Sequence, residues 1–180
     1  MGSKSPQYEE VKQLIMRALE LDEQAARARQ CRDEQLAGKI YEELLTVLAP
    51  KAETLVASAL EDRAFAHFAY GVVLRVLHLF DDAIGQFRKS LVIVPDSTDA
   101  LLEITLCLAQ IGNQTAAEEF ARRGIVVAPD SPASWGNLAM ILIQNRKKEE
   151  AFDAISRAVA LDSKDPKNRY ILENFHRYFF

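Results

Sequence analysis

Two stretches of this chain say nearly the same thing. "LVIVPDSTDAL" (Leu91–Leu101) and "IVVAPDSPASW" (Ile125–Trp135) run in the same order 34 residues apart, with Pro95-Asp96-Ser97 answering Pro129-Asp130-Ser131. Proline disfavours helical geometry in the residue before it, so each phrase stops a helix. The Asp and Ser that follow bring side-chain acceptors for the unpaired N–H groups of a new helix. Between the phrases lie an amphipathic stretch, a polar break and a second amphipathic stretch. A unit of helix, turn and helix at this period cannot bury its apolar face alone, so it must stack on its neighbours.

Residues 64–165 resemble three tetratricopeptide repeats. The third carries Trp135, Leu138, Ala139 and Leu142, then Ala151, Ile155 and Ala158. The first offers His67, Tyr70, Gly71 and Leu74, then Ala83, Phe87, Ser90 and Pro95. The middle one has Leu101, Ile104, Thr105 and Leu108, then Gly112, Ala117, Ala121, Gly124 and Pro129. Thr105, Ala121 and Ser163 depart from the family pattern. Small residues (Gly71, Thr105, Ala139, and Ala83, Ala117, Ala151) fit where two helices approach closely, and Phe87 and Ile155 fill the space they leave. The resemblance implies an all-α fold, a right-handed α-solenoid with repeats over 64–97, 98–131 and 132–165.

Residues 7–63 form an N-terminal helical region, read as a cap or a degenerate repeat. Val11, Leu14, Ile15, Ala18, Leu19, Ala25 and Ala26 recur at helical spacing and predict a long helix over 8–30. Leu36, Ile40, Leu44, Val47 and Leu48 predict a second, closed by Ala49-Pro50. From Lys51 to Leu79 there is no proline, which predicts an extended leading helix for the first repeat. Residues 1–6 read as disordered or vector-derived, since Pro6 spoils the myristoylation pattern that Met-Gly opens. Residues 166–180 predict a capping helix begun by Pro166, with Tyr178-Phe179-Phe180 as a latch onto the last repeat rather than a docking tail.

In the family, the leading helices line a concave groove. Carried over position by position, this implies Phe65, Phe68, Val72, Arg75 and Val76, then Asp99, Leu102, Leu106, Ala109 and Gln110, then Ala133, Gly136, Met140, Ile143 and Gln144. The lining is mostly apolar. Phe68, Val72 and Leu102 stand where chaperone-adaptor members place a carboxylate clamp, so that activity is not implied. An apolar groove can hold an apolar peptide or amphipathic helix, be filled by the chain's own N-terminal hairpin, or be shared between two copies. Met140 adds adaptability.

The remaining features exclude more than they assign. A net charge of -4 argues against nucleic acid as partner, and no apolar run is long enough for a membrane span. Cys31 and Cys107 form no CxxC pair, which fits a reducing, cytoplasmic setting. Three histidines without ligand spacing predict no metal, and no nucleophile or phosphate-loop motif predicts a cofactor or an enzyme. The expected function is a scaffold, adaptor or chaperone for another protein or peptide. Alternatives are a type III secretion translocator-type chaperone, similar in layout, or a self-assembling homo-oligomer.

Overall fold

The computed structural model describes residues 6–58 and 62–179. Residues 1–5, 59–61 and Phe180 lie outside them, and with them most of the expected vector-derived start and the last residue of the expected latch. Every regular element among the described residues is helical. The chain divides into two compact units, Met1–Pro95 and Asp96–Phe180.

The first unit holds α1 (Pro6–Gln30), α2 (Glu34–Glu43), α3 (Ala49–Ser58), α4 (Arg63–Val76) and α5 (Phe80–Ile93). Pro6, read from sequence as part of a disordered or foreign start, begins α1. Two further expectations are corrected. The second helix does not close at Ala49-Pro50. A π turn over Leu44–Leu48 carries it into α3, with the Ala49 N–H donating to the Leu44 carbonyl. Proline in a helix removes one hydrogen bond and crowds the carbonyl four residues back; the wider turn just before Pro50 absorbs both effects. The leading helix α4 is not extended either, since α3 ends at Ser58 and Asp62 stands as the N-cap residue of α4.

The second unit holds α6 (Thr98–Gln110), α7 (Gln114–Val127), α8 (Pro132–Gln144), α9 (Lys148–Leu161) and α10 (Pro166–Glu173), followed by a 3₁₀ turn at Phe175–Tyr178. The repeated phrase acts as anticipated. Ser97 Oγ accepts from the Ala100 N–H at 3.3 Å, and Ser131 Oγ from the Ser134 N–H at 3.2 Å. Asp165, another 34 residues on, caps α10 in the same way through the Asn168 N–H at 2.8 Å. Trp135 Nε1 donates back to the Pro129 carbonyl at 2.7 Å, tying the start of α8 to the phrase that precedes it.

Hairpins α4–α5, α6–α7 and α8–α9 close around small side chains. Ala83, Ala117, Ala139 and Ala151 are fully buried. Gly71 leaves room for the Phe87 ring, because a Cβ at Gly71 would come within 2.5 Å of it. Each hairpin reverses with one residue in the left-handed region: His78 (φ 61°), Gly112 (φ 80°) and Arg146 (φ 60°). The α1–α2 turn does the same at Arg32 (φ 57°). In all four, the next N–H reaches five residues back, at 2.9 Å, to close the helix end: Asp33 to Ala28, Leu79 to Leu74, Asn113 to Leu108, Lys147 to Leu142.

Candidate protein-interaction site

The leading helix of the first unit, α4, presents the expected apolar face, and α1 packs along α4. Tyr8 stacks on Phe65 with ring centroids 4.8 Å apart and planes 23° from parallel. Asp22 pairs with Arg75 at 3.8 Å. Val72 and Val76 are 2% and 1% exposed. Phe68 turns toward the hairpin interior, its ring 5.5 Å from Phe87. All five expected groove residues here are therefore corrected: Val72 and Val76 are core, Phe68 packs against Phe87, and Phe65 and Arg75 are engaged by α1. The cause lies in α1 itself, whose Val11, Leu14, Ala18, Leu21, Ala25 and Ala28 are buried along one stripe.

The leading helices of the second unit, α6 and α8, differ. Leu106 is 39% exposed, and Leu102 and Met140 are half-buried. Ile143 is buried, and so is Gly136, which faces the Asn168 side chain of α10. Asn168 is itself buried and donates from Nδ2 to the Pro132 carbonyl at 3.3 Å. Gly136 is thus a seat for α10 instead of a groove residue, because only a glycine there admits the carboxamide. A recess of about 90 Å³ opens between α6, α7 and α8, with Leu102 and Phe120 among its apolar walls and Asp99 and Asn137 among its polar ones.

One arrangement in the second unit was invisible to sequence reasoning. Glu118 on α7 is almost buried and accepts from Arg122 Nε and Nη2 at 3.0 and 2.8 Å. It also accepts from Lys147 Nζ at 2.8 Å and Asn145 Nδ2 at 2.7 Å, both on the turn between α8 and α9. Arg122 bonds Glu150 as well. Burial works to raise the Glu118 pKa, but the donors Lys147, Arg122 and Asn145 outweigh it and hold the carboxyl at about 2. The sequence showed Glu118 and Arg122 one helical turn apart, a common surface pairing; nothing local announced the donors from Asn145 and Lys147.

The Glu118 pairing links stability to acidity. Its folded pKa lies below its unfolded value, so the unfolded chain binds the proton first as pH falls. The contribution is complete above about pH 4.5 and drains away toward pH 2. Glu118→Gln is therefore expected to lower the urea midpoint near neutral pH and to flatten its decline across that acid window. Urea titrations of both proteins at several pH values check it.

The chain's last described residues pack onto α9. Phe175 meets Phe152 with centroids 5.3 Å apart and Phe179 at 5.2 Å, and Lys148 lies over the Phe179 ring. Arg146 Nη1 donates to the Tyr178 carbonyl at 2.9 Å. As expected of a latch, Phe179 covers apolar surface of the second unit. Among the described residues no cluster of His, Cys, Asp and Glu is arranged to hold a metal ion, and no helix is long and apolar enough to cross a membrane. Half-buried His67 bonds Gln86 through Nδ1 at 2.8 Å, and of the two cysteines Cys31 is exposed and Cys107 buried.

Residues 108–166 match the tetratricopeptide repeat family model. No curated protein sequence matches the chain. Among solved structures it is similar to MamA (residues 41 to the end) from Desulfovibrio magneticus RS-1, at 18% identity and TM-score 0.64, over 87% of this chain and 86% of that one. It is similar to YrrB, a tetratricopeptide repeat protein with an unusual peptide-binding site, at 16% identity and TM-score 0.64, over 77% and 72%. It is also similar to the type III secretion translocator chaperone SycD of Yersinia enterocolitica, at 17% identity and TM-score 0.58, over 67% and 91%. At these identities the likeness is one of fold. Together with helical hairpins that cap and reverse at the 34-residue spacing of the repeated phrase, these matches identify tetratricopeptide repeat sequence in residues 108–166 and a tetratricopeptide-type helical fold.

Proposed function

We propose that this protein is a non-enzymatic interaction scaffold that holds an apolar segment of another protein on the leading helices α6 and α8. On this reading the three hairpins at 64–97, 98–131 and 132–165 are its repeats, residues 7–63 its N-terminal cap and residues 166–180 its C-terminal cap. One contrast carries the proposal. The apolar face of α4 is already occupied by α1, whereas Leu102, Leu106 and Met140 on α6 and α8 keep surface available. Burying that surface against a partner's side chains supplies the binding energy, at about 25 cal/mol per Å² of apolar area removed from water. Free and exposed Cys31 fits work in a reducing compartment, the cytoplasm.

The likeness to SycD favours a second, narrower reading as a translocator-type chaperone, since it spans 91% of that chain. Both readings place the client on the same helices. The experiment is affinity capture of a client from the native host, quantified for the wild type and for the Leu106→Glu/Met140→Glu variant. Capture is expected to drop roughly tenfold or more while helical content stays at the wild-type level. Undiminished capture would remove α6 and α8 from the interaction and sink the proposal.

A further inference from the structure

The recess between α6, α7 and α8 exists because α7 lacks side chains that its counterparts carry. Positions 87, 121 and 155 stand 34 residues apart on α5, α7 and α9. Phe87 and Ile155 are fully buried and fill the space inside their hairpins. Position 121 is alanine, and Gly124, one turn further, has nothing within 4 Å of where a Cβ would be. Buried Thr105, in register with Gly71 and Ala139, takes up part of the volume this leaves, and the remainder opens to the outside as the recess. A well-packed interior tolerates no such gap without cost, because the atoms lining it lose contact partners.

We propose that this recess is a socket for one leucine- or isoleucine-sized side chain of an extended peptide, with a lysine or arginine of that peptide next to it. The inference rests on the reading that α6 and α8 hold an apolar segment, and it names what that segment presents. The floor formed by Phe120, Ala121 and Gly124, with Leu102 beside it, accepts a branched hydrocarbon group. Among the described lining residues, Asp99 alone carries a charge, so the wall complements a cation and repels an acidic neighbour. Asn137 offers one donor pair and one acceptor from a single carboxamide, which matches a peptide group of an extended chain. An acidic or purely aliphatic peptide would leave the Asp99 carboxylate unanswered.

The test uses the full chain and three short probes. The peptide acetyl-Ser-Leu-Lys-Ser-amide is titrated against isotopically labelled protein by NMR, beside versions with Leu→Ala and with Lys→Glu. Saturable shifts are expected at the amides of Ala121, Gly124 and Asn137 in the millimolar range. Both altered peptides are expected to bind roughly tenfold or more weakly. Ala121→Ile gives α7 the residue that α9 has in register; it should raise the melting temperature by filling the gap and abolish the shifts. Asp99→Asn should remove the preference for lysine over glutamate while leaving the melt near wild type, so the charge argument stands apart from any folding effect. The socket is overturned by absence of saturable shifts, by equal affinity of the leucine and alanine probes, or by undiminished binding to Ala121→Ile. If Leu106→Glu/Met140→Glu abolishes client capture while Ala121→Ile leaves it intact, the scaffold reading stands and the socket alone fails.

Discussion

Val76→Asp is expected to unfold the first unit of this protein or cost it about 4 kcal/mol or more. Val76 is 1% exposed on α4, and α1 packs along that helix. A carboxylate placed there has neither water nor a matched cation, since the adjacent Arg75 already faces Asp22. Leu106→Asp, on the leading helix α6 where the side chain is 39% exposed, should change stability by about 0.5 kcal/mol or less. Urea unfolding followed by circular dichroism compares the two. Similar midpoints for both variants would mean that α1 does not stay on α4 in solution.

Phe87→Ala should cost about 4 kcal/mol, near the middle of the range for deleting a buried aromatic ring. The ring is fully buried, shares an edge with Phe68, and occupies the space that Gly71 concedes. Gly71→Ala alone should also destabilise, because its Cβ has to enter that ring. The two losses are not independent. With the ring gone, a methyl group at position 71 meets open space, so the double variant should lose less than the two single losses combined. Urea midpoints of the three variants give that coupling directly, and simple additivity would show that the glycine serves some other contact.

These expectations mark how far the sequence could be read. The repeated Pro-Asp-Ser phrase located helix ends and caps because capping is local: Ser97 and Ser131 need only the N–H groups three residues on. The small-residue positions were legible for a related reason, since a 34-residue register compares like with like. Periodicity also showed that Val72 and Val76 belong to an apolar face. It could not say what covers that face, because the amphipathic pattern of α1 would look the same whether it packed on α4 or elsewhere. Gly136 misled for the opposite reason: a position that faces a ligand in an open array faces Asn168 where α10 follows. The passage of helix through Pro50 depended on one hydrogen bond spanning five residues, which no composition rule anticipates.

The four left-handed turns have a consequence for how such a chain can change over generations. Only one of them uses glycine, and Arg32, His78 and Arg146 adopt the same reversal with side chains that resist it. What holds the turn is the pair of backbone bonds at the end of the preceding helix, and those depend on no side-chain identity. Reversal is therefore separable from both composition and helix length. Helix α1 runs 25 residues and α4 only 14, yet each ends in the same turn. A lineage built this way can lengthen an arm or let a consensus erode while every hairpin still reverses through the same left-handed turn. Kinship among its units then survives in the dihedral angles after it has faded from the letters.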